Sequence, residues 1–220
     1  MLSSITNLSK TGIQQATPRP ALVIIGQQEL DTFSRFVYRV YEANNAGDLG
    51  WEPNEEEVRE FIEEDEAYFP SSLYVAFKTW GEVLLSTLKI TQYKPALTFP
   101  IQKQFGIEVE DLAKRYGAST DQFFHLGRLC VDKARLPNGG PGSRELFTRM
   151  LYRCLFFTTW VRSGHIFAEA AEPAVMLFEQ IGLPMDLVGD PQFHTGTQTY
   201  PVVIPPRVIT AWLAQHKHLA

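Results

Sequence analysis

Cysteine is nearly absent: Cys130 and Cys154 are the only two in 220 residues. Both sit in apolar runs and read as small core residues, so a reduced, cytoplasmic setting is expected rather than a disulfide. Charge is sparse as well, at 20% of residues with a net of −5. The basic surplus that marks nucleic-acid binders is therefore missing. No apolar run approaches the ~20 residues that a membrane-spanning helix needs. The first twenty residues hold no long apolar stretch, so no signal peptide is expected. There is no G-x-S-x-G elbow, P-loop or H-E-x-x-H pair. His216 and His218 are two possible ligands without a third, so no metal site is expected. No permanently bound cofactor is expected either.

What remains is ordinary globular material. Hydrophobic residues make up 45% of the chain, enough to bury a core without staples. Residues 1–20 are polar, end in Pro18 and Pro20, and read as a flexible N-terminal arm. Residues 21–220 contain no repeat and no linker, which predicts one domain. "ALVII" reads as a short buried strand closed by Gly26. Leu30, Phe33, Val37, Val40 and Tyr41 fall at helical spacing, and Asn54 is placed to cap a second helix with acids in its first turn. "SLYVAF" and "EVLLSTLKIT" read as strands about a turn at Trp80-Gly81. Residues 94–118 read as short helices and turns. "DQFFHLGRLCVD" reads as a strand, and the residues from Ser143 as a long helix stopped by Gly164. "HIFAEA", opened by His165, reads as a strand. "EPAVMLFEQIG" reads as a helix with Pro173 in its first turn, and "PMDLVG" and "TYPVVI" as late strands, with His194 in a loop between them. This order predicts a three-layer α/β domain with a central mixed sheet and flanking helices.

One stretch concentrates the chemistry. "HLGRLCVDKARLPNGGPG" runs from a buried strand into a cationic, glycine-rich loop and then into the long helix. A helix N-terminus offers unpaired N–H groups and a positive dipole end. Glycines let that backbone approach a ligand closely. Lys133, Arg135 and Arg144 add full charges around Gly139, Gly140, Gly142 and Ser143. Two readings stand from spacing alone: a phosphate cradle, or a surface turn ahead of a capped helix.

The layout resembles the GNAT superfamily of N-acyltransferases, and within it the acyl-homoserine-lactone (autoinducer) synthases of quorum sensing. "RVYEANNAGDLGWE" resembles that family's first helix and aromatic "LGW" element, with Tyr41 and Trp51 at the aromatic positions. "STLKIT" resembles its third strand, "ALTFPIQKQFG" its Phe-Pro segment, and "HLGRLCVDKAR" its glutamate-x-x-arginine strand. The chain departs from the pattern in four places. His125 stands for the glutamate, Val37 for a first-helix arginine, Lys89 for a third-strand arginine, and "EEDEAY" for a paired-aspartate element. The resemblance implies a GNAT-like fold with a V-shaped splay in the sheet. It also implies transfer of a fatty acyl group from acyl carrier protein or acyl-coenzyme A to a small-molecule amine. Two alternatives accompany it: an N-acyl amino acid synthase with another acceptor, and a non-catalytic acyl or acyl-carrier binding protein.

Roles follow from that expected chemistry. An amine attacking a thioester must lose a proton, and an imidazole suits that task near neutral pH. His125 is therefore the candidate base, or else a core histidine. Arg128 would face the other side of an ideal strand unless a bulge intervenes. It is a candidate for holding the loop or a substrate carboxylate, or a surface ion-pair partner. Backbone N–H groups from Leu129 to Val131 are candidates for the oxyanion. Tyr41, Trp51, Lys89, Phe99, Phe147 and Met150 are candidate substrate residues, although an apolar stripe such as Phe147 and Met150 is more often core. From Arg128 to Arg162 there are seven basic residues against two acids. Arg149 and Arg153 share a helix face and would suit an acidic carrier protein. The run from Glu52 to Glu66 holds nine acids and one arginine, a solvated helix face or a surface beside an amine.

Overall fold

Helix α1 (Leu30–Asn45) buries Leu30, Phe33, Val37 and Val40 along one stripe, the spacing that the sequence carries. Helix α2 (Glu55–Tyr68) starts where Asn54 accepts bonds from the N–H groups of Glu56 and Glu57, and Glu55, Glu56 and Glu57 complement its positive end. These elements belong to a computed structural model that describes residues 20–45, 50–136, 142–161 and 164–219. The arm expected over 1–20 lies almost entirely outside the described residues.

The strands are β1 (Ala21–Ile24), β2 (Ser72–Lys78), β3 (Leu84–Gln92), β4 (Phe123–Val131), β5 (His165–Ala171), β6 (Asp186–Leu187), β7 (Gln192–His194) and β8 (Thr197–Ile204). They form one sheet in the order β1-β2-β3-β4-β5-β8-β6, with β7 paired to β8. Every pairing is antiparallel except β4 with β5. That parallel pairing joins only Phe123–His125 to His165–Phe167. Beyond it β4 continues along β3 and β5 along β8, so the sheet opens into the V that was expected.

The sheet is covered on both faces. Helices α5 (Ser143–Val161), α6 (Glu172–Gln180) and α7 (Pro206–Gln215) pack Met150, Leu151, Cys154, Phe178 and Trp212 against Phe124, Leu126, Ile166 and Val202. On the other face α1 covers Tyr74 and Ala76. There the short helices α3 (Pro100–Phe105) and α4 (Val109–Tyr116) join Tyr68 over Phe123, Phe167 and Val203. Both cysteines are free and buried, and burial pushes the Cys130 thiol up to about 12. Among the described residues no helix is long and apolar enough to cross a membrane.

Two elements depart from the sequence reading. Helix α7 was not expected, although Ile209, Trp212 and Leu213 are spaced for a buried helical stripe and Pro206 stands in its first turn. The loop expected around His194 contains strand β7, whose three residues are all exposed and so carry no alternation to reveal it.

His165 gives this fold a measurable acid sensitivity. Its ring stacks on Phe123 at 4.8 Å and meets Tyr116 at 5.1 Å, and its Nδ1 is buried without a partner. Burial holds its pKa below the ordinary 6.5. The unfolded chain therefore takes up a proton first, and stability that is complete above 6.5 is lost as pH falls toward the lowered value. Urea unfolding of wild type and His165→Gln across that window should show the wild type losing stability more steeply. Parallel curves would refute the assignment.

Candidate active site

A break in register sets the site. Thr87 pairs with Cys130 and Lys89 with Gly127, so Leu88 alone stands opposite Arg128 and Leu129. Arg128 absorbs the extra residue at φ 55°, a left-handed conformation that costs a non-glycine residue roughly 1–2 kcal/mol. The bulge reverses the alternation of β4. Phe124 and Leu126 face the α5 side, whereas Cys130 joins the core beneath α1. By the same reversal Arg128 shares a face with His125, which an ideal strand forbids.

Charge holds the strained residue. Arg128 Nε donates to both oxygens of Asp65 at 3.1 and 3.2 Å, and Nη2 donates to Glu64 at 3.1 Å. Lys89 Nζ reaches Asp65 at 3.1 Å and Glu64 at 3.4 Å. Asp65 also accepts from Ser34 at 2.7 Å and Tyr74 at 3.2 Å. The Asp65 and Lys89 side chains are 0% and 1% exposed. The Phe61 ring lies 3.9 Å from the Arg128 guanidinium carbon, and Tyr68 lies 4.4 Å from Lys89 Nζ. Burial opposes ionisation of Asp65 and Glu64, but Arg128 and Lys89 outweigh it and hold both carboxyls below their ordinary range. Burial, then Arg128, lowers the pKa of Lys89. Burial opposes the charge of Arg128 as well, but Asp65 and Glu64 keep it fully cationic.

His125 sits beside this cluster at the apex of the splay. Its Nε2 is 2.9 Å from Glu169 Oε2, and the rings of Phe99 and Phe167 flank it at 5.3 and 5.2 Å. Opposite a carboxylate acceptor Nε2 carries the hydrogen, and in the neutral imidazole Nδ1 then presents the lone pair. Nδ1 and Glu169 Oε1 are both buried without a partner among the described residues. A Cβ on Gly127 would lie 2.9 Å from His125 Cε1 and 3.4 Å from Nδ1, so glycine keeps the space before the imidazole open.

A cavity of about 410 Å³ lies nearby, walled by Trp51, Phe61, Phe193, His194, Glu57 and Glu60. Phe61 is common to the cavity and the ion cluster. The β7–β8 hairpin forms one wall. It is seated by a bond from Asn45 Nδ2 to the Thr195 carbonyl at 3.1 Å. Gly196 (φ 76°) lies so close that a Cβ there would meet Asn45 O at 2.7 Å and the Trp51 ring at 3.0 Å. Glu57 accepts from Tyr38 at 2.6 Å and from Trp51 Nε1 at 3.2 Å. Burial and the bond to Glu57 push the Tyr38 hydroxyl up to about 12, so it remains a neutral donor.

The structure thus gathers His125, Arg128, Lys89 and Phe99, with Tyr41 against Phe61 at 6.1 Å and Trp51 in the cavity wall. Phe147 and Met150 lie on the opposite face of the sheet, packed in the α5 core, where Leu129 and Val131 also lean. Lys133 and Arg135 form a 3-10 turn after β4, and Arg135 is held by Asp132 at 3.3 Å. Gly142 and Ser143 open α5, and Arg144 donates to the Gln180 carbonyl at 3.1 Å. Arg149 lies 5.2 Å from the Phe77 ring centroid, and Arg153 is exposed on the same helix. Gly139 and Gly140 lie outside the described residues. Sequence reasoning missed Glu169, whose only signal is its place two residues beyond Phe167 on the strand paired with His125.

No family model and no curated protein matches the sequence. Solved structures do match in fold. FeeM, an N-acyl amino acid synthase from uncultured soil microbes, aligns with TM-score 0.68 at 18% identity, over 91% of this chain and 100% of its own. The AHL synthase LasI aligns with TM-score 0.59 at 9% identity, over 87% and 91%. An acetyltransferase of the GNAT family from Staphylococcus aureus Mu50 aligns with TM-score 0.54 at 8% identity, over 84% and 98%. The chain has the GNAT acyltransferase fold that its sequence led us to expect.

The ion cluster makes a quantitative prediction. Asp65→Ala strands two buried cations on Glu64 alone and should cost about 3–5 kcal/mol in urea unfolding. Arg59→Ala, which removes two pairs more than 60% exposed on both sides, to Glu56 and Glu63, should cost less than about 1 kcal/mol. Similar losses at the two positions would refute the role given to the cluster.

Proposed function

We propose that the protein is an N-acyltransferase that moves a fatty acyl group from a carrier-protein or coenzyme A thioester to a small-molecule amine. The observation that carries this reading is the His125–Glu169 pair at the point where β4 and β5 part. The amine nitrogen attacks the thioester carbonyl, forming the C–N bond. His125 Nδ1 takes the nitrogen's proton while Glu169 holds the ring in the productive tautomer. The oxyanion meets backbone N–H groups along the bulged stretch from Leu129 to Val131. Collapse breaks the C–S bond, and the proton passes to the departing sulfur. Arg128 acts here by fixing the bulge rather than by touching the reacting atoms.

The donor would enter along the splay with its phosphate at the start of α5, near Gly142, Ser143 and Arg144, with Lys133 and Arg135 on the preceding turn. A carrier protein, being acidic, would dock on Arg149 and Arg153. FeeM is an N-acyl amino acid synthase and LasI an AHL synthase. Their shared fold supports amine acylation as the reaction class, and a signalling product is one outcome of it. Two buried free thiols suit the cytoplasm.

Thiol release from an acyl donor, measured with a panel of amines, tests the reading. His125→Ala should lower turnover by ~10²–10⁴-fold with donor binding kept. Glu169→Gln, which preserves a hydrogen-bond partner, should retain more turnover than Glu169→Ala. Full activity in His125→Ala would place the base elsewhere. Carrier association should weaken steeply as salt shortens the screening length below ~10 Å. A salt-independent affinity would remove the docking face.

A further inference from the structure

The cavity beside the ion cluster carries an unbalanced charge. Among the described residues its walls present the carboxylates of Glu57 and Glu60 and no lysine or arginine. Glu57 is held by two neutral donors, the Tyr38 hydroxyl and the Trp51 indole N–H, so its negative charge is oriented but not cancelled. Glu60 is exposed and takes part in no ion pair among the described residues. The cations behind the Phe61 wall, Arg128 and Lys89, are matched one for one by Asp65 and Glu64. No uncommitted positive charge in the described structure is therefore placed to receive an anion in this space. The remaining walls are the aromatic faces of Trp51, Phe61 and Phe193, with Gly50, Thr195 and His194, whose imidazole burial biases toward its neutral form. Such faces attract cations and apolar bodies and give no stabilisation to a carboxylate. A cavity of about 410 Å³ falls in the range of small-molecule sites.

We infer that this cavity is the acceptor site and that it takes an amine lacking a carboxylate, an alkyl- or arylalkylamine with an apolar or aromatic body. The inference rests on the acyltransferase reading for its chemistry, but the selectivity follows from the cavity alone. Glu57 and Glu60 draw the protonated amine in from solvent. The aromatic walls hold its body; the ammonium gives one proton to solvent to become the nucleophile, and on attack His125 takes the second, which passes to the departing sulfur. An amino acid of the same shape would bring a carboxylate against two acidic groups with no cation to answer it.

Matched pairs make the test direct: tryptamine against tryptophan, tyramine against tyrosine, cadaverine against lysine. Calorimetric binding to the wild-type protein needs no turnover and decides the inference by itself. Each amine should bind at least tenfold more tightly than its amino acid. Glu60→Lys should erode or reverse that preference. Equal or tighter binding of the amino acids, or binding of neither class, overturns the inference. The acyltransferase reading is judged separately, by thiol release and product mass with long-chain acyl donors. Acylation of amino acids in preference to amines would sustain that reading while overturning this one. Amine-selective binding without any acyl transfer would do the opposite.

Discussion

Two carboxylates of α2 meeting two cations of the sheet, a cluster centred on the sealed Asp65 and Lys89, are what the bulged face of this sheet depends on. Arg128 occupies a backbone conformation that an arginine does not choose, and it stays there because Asp65 grips its Nε with both oxygens. Lys89 completes the balance from the neighbouring strand. Without the cluster, a regular β4 would send residue 128 to the opposite face and shift the strand beyond it by one position. The ion cluster is thus costly to bury and difficult to replace. An apolar substitute would lower the desolvation cost but would remove the reason for the bulge.

The bulge and the splay work together. A strand that kept full pairing with β5 would leave no opening at its edge, and a strand without the bulge would keep its regular register along β3. Here β4 loses β5 after His125 and loses regular register with β3 at Arg128, within a few residues. His125 stands at the first of these interruptions. Among the described residues its ring has one hydrogen-bond partner, Glu169, which lies on the strand that is leaving. The polar atoms left unpartnered at this point, His125 Nδ1 and Glu169 Oε1, belong to the same pair.

The layered fold was legible because its long elements obey their own periods. The stripe of α1, the cap of α2 and the largely apolar stretch of β4 are local facts of the chain. The site was legible in part. His125, Arg128, Lys89 and Phe99 could be named because they sit in short segments with a recognisable order. Glu169 could not, since it lies 44 residues away and meets His125 only through the parallel pairing of β4 and β5, which no local pattern specifies. The acids of "EEDEAY" looked like a blurred motif and a solvated face. Burial separates them: Asp65 is sealed inside while Glu63 and Glu66 remain outside, a distinction set by helix rotation rather than by composition. Helix α7 carried a readable signal in Ile209, Trp212 and Leu213, whereas β7 carried none.

The hairpin of β7 and β8 has a consequence for how such a protein diversifies. Its tip touches the body through Asn45 and Trp51, and Phe193 and His194 face the cavity while remaining exposed and outside the three cores. The tip of this hairpin, residues 192–196, can therefore change without disturbing the buried cores, although β8 itself belongs to the sheet. Substitutions at the tip would reshape this wall of the cavity while leaving the surroundings of the buried ions and of His125 as they are.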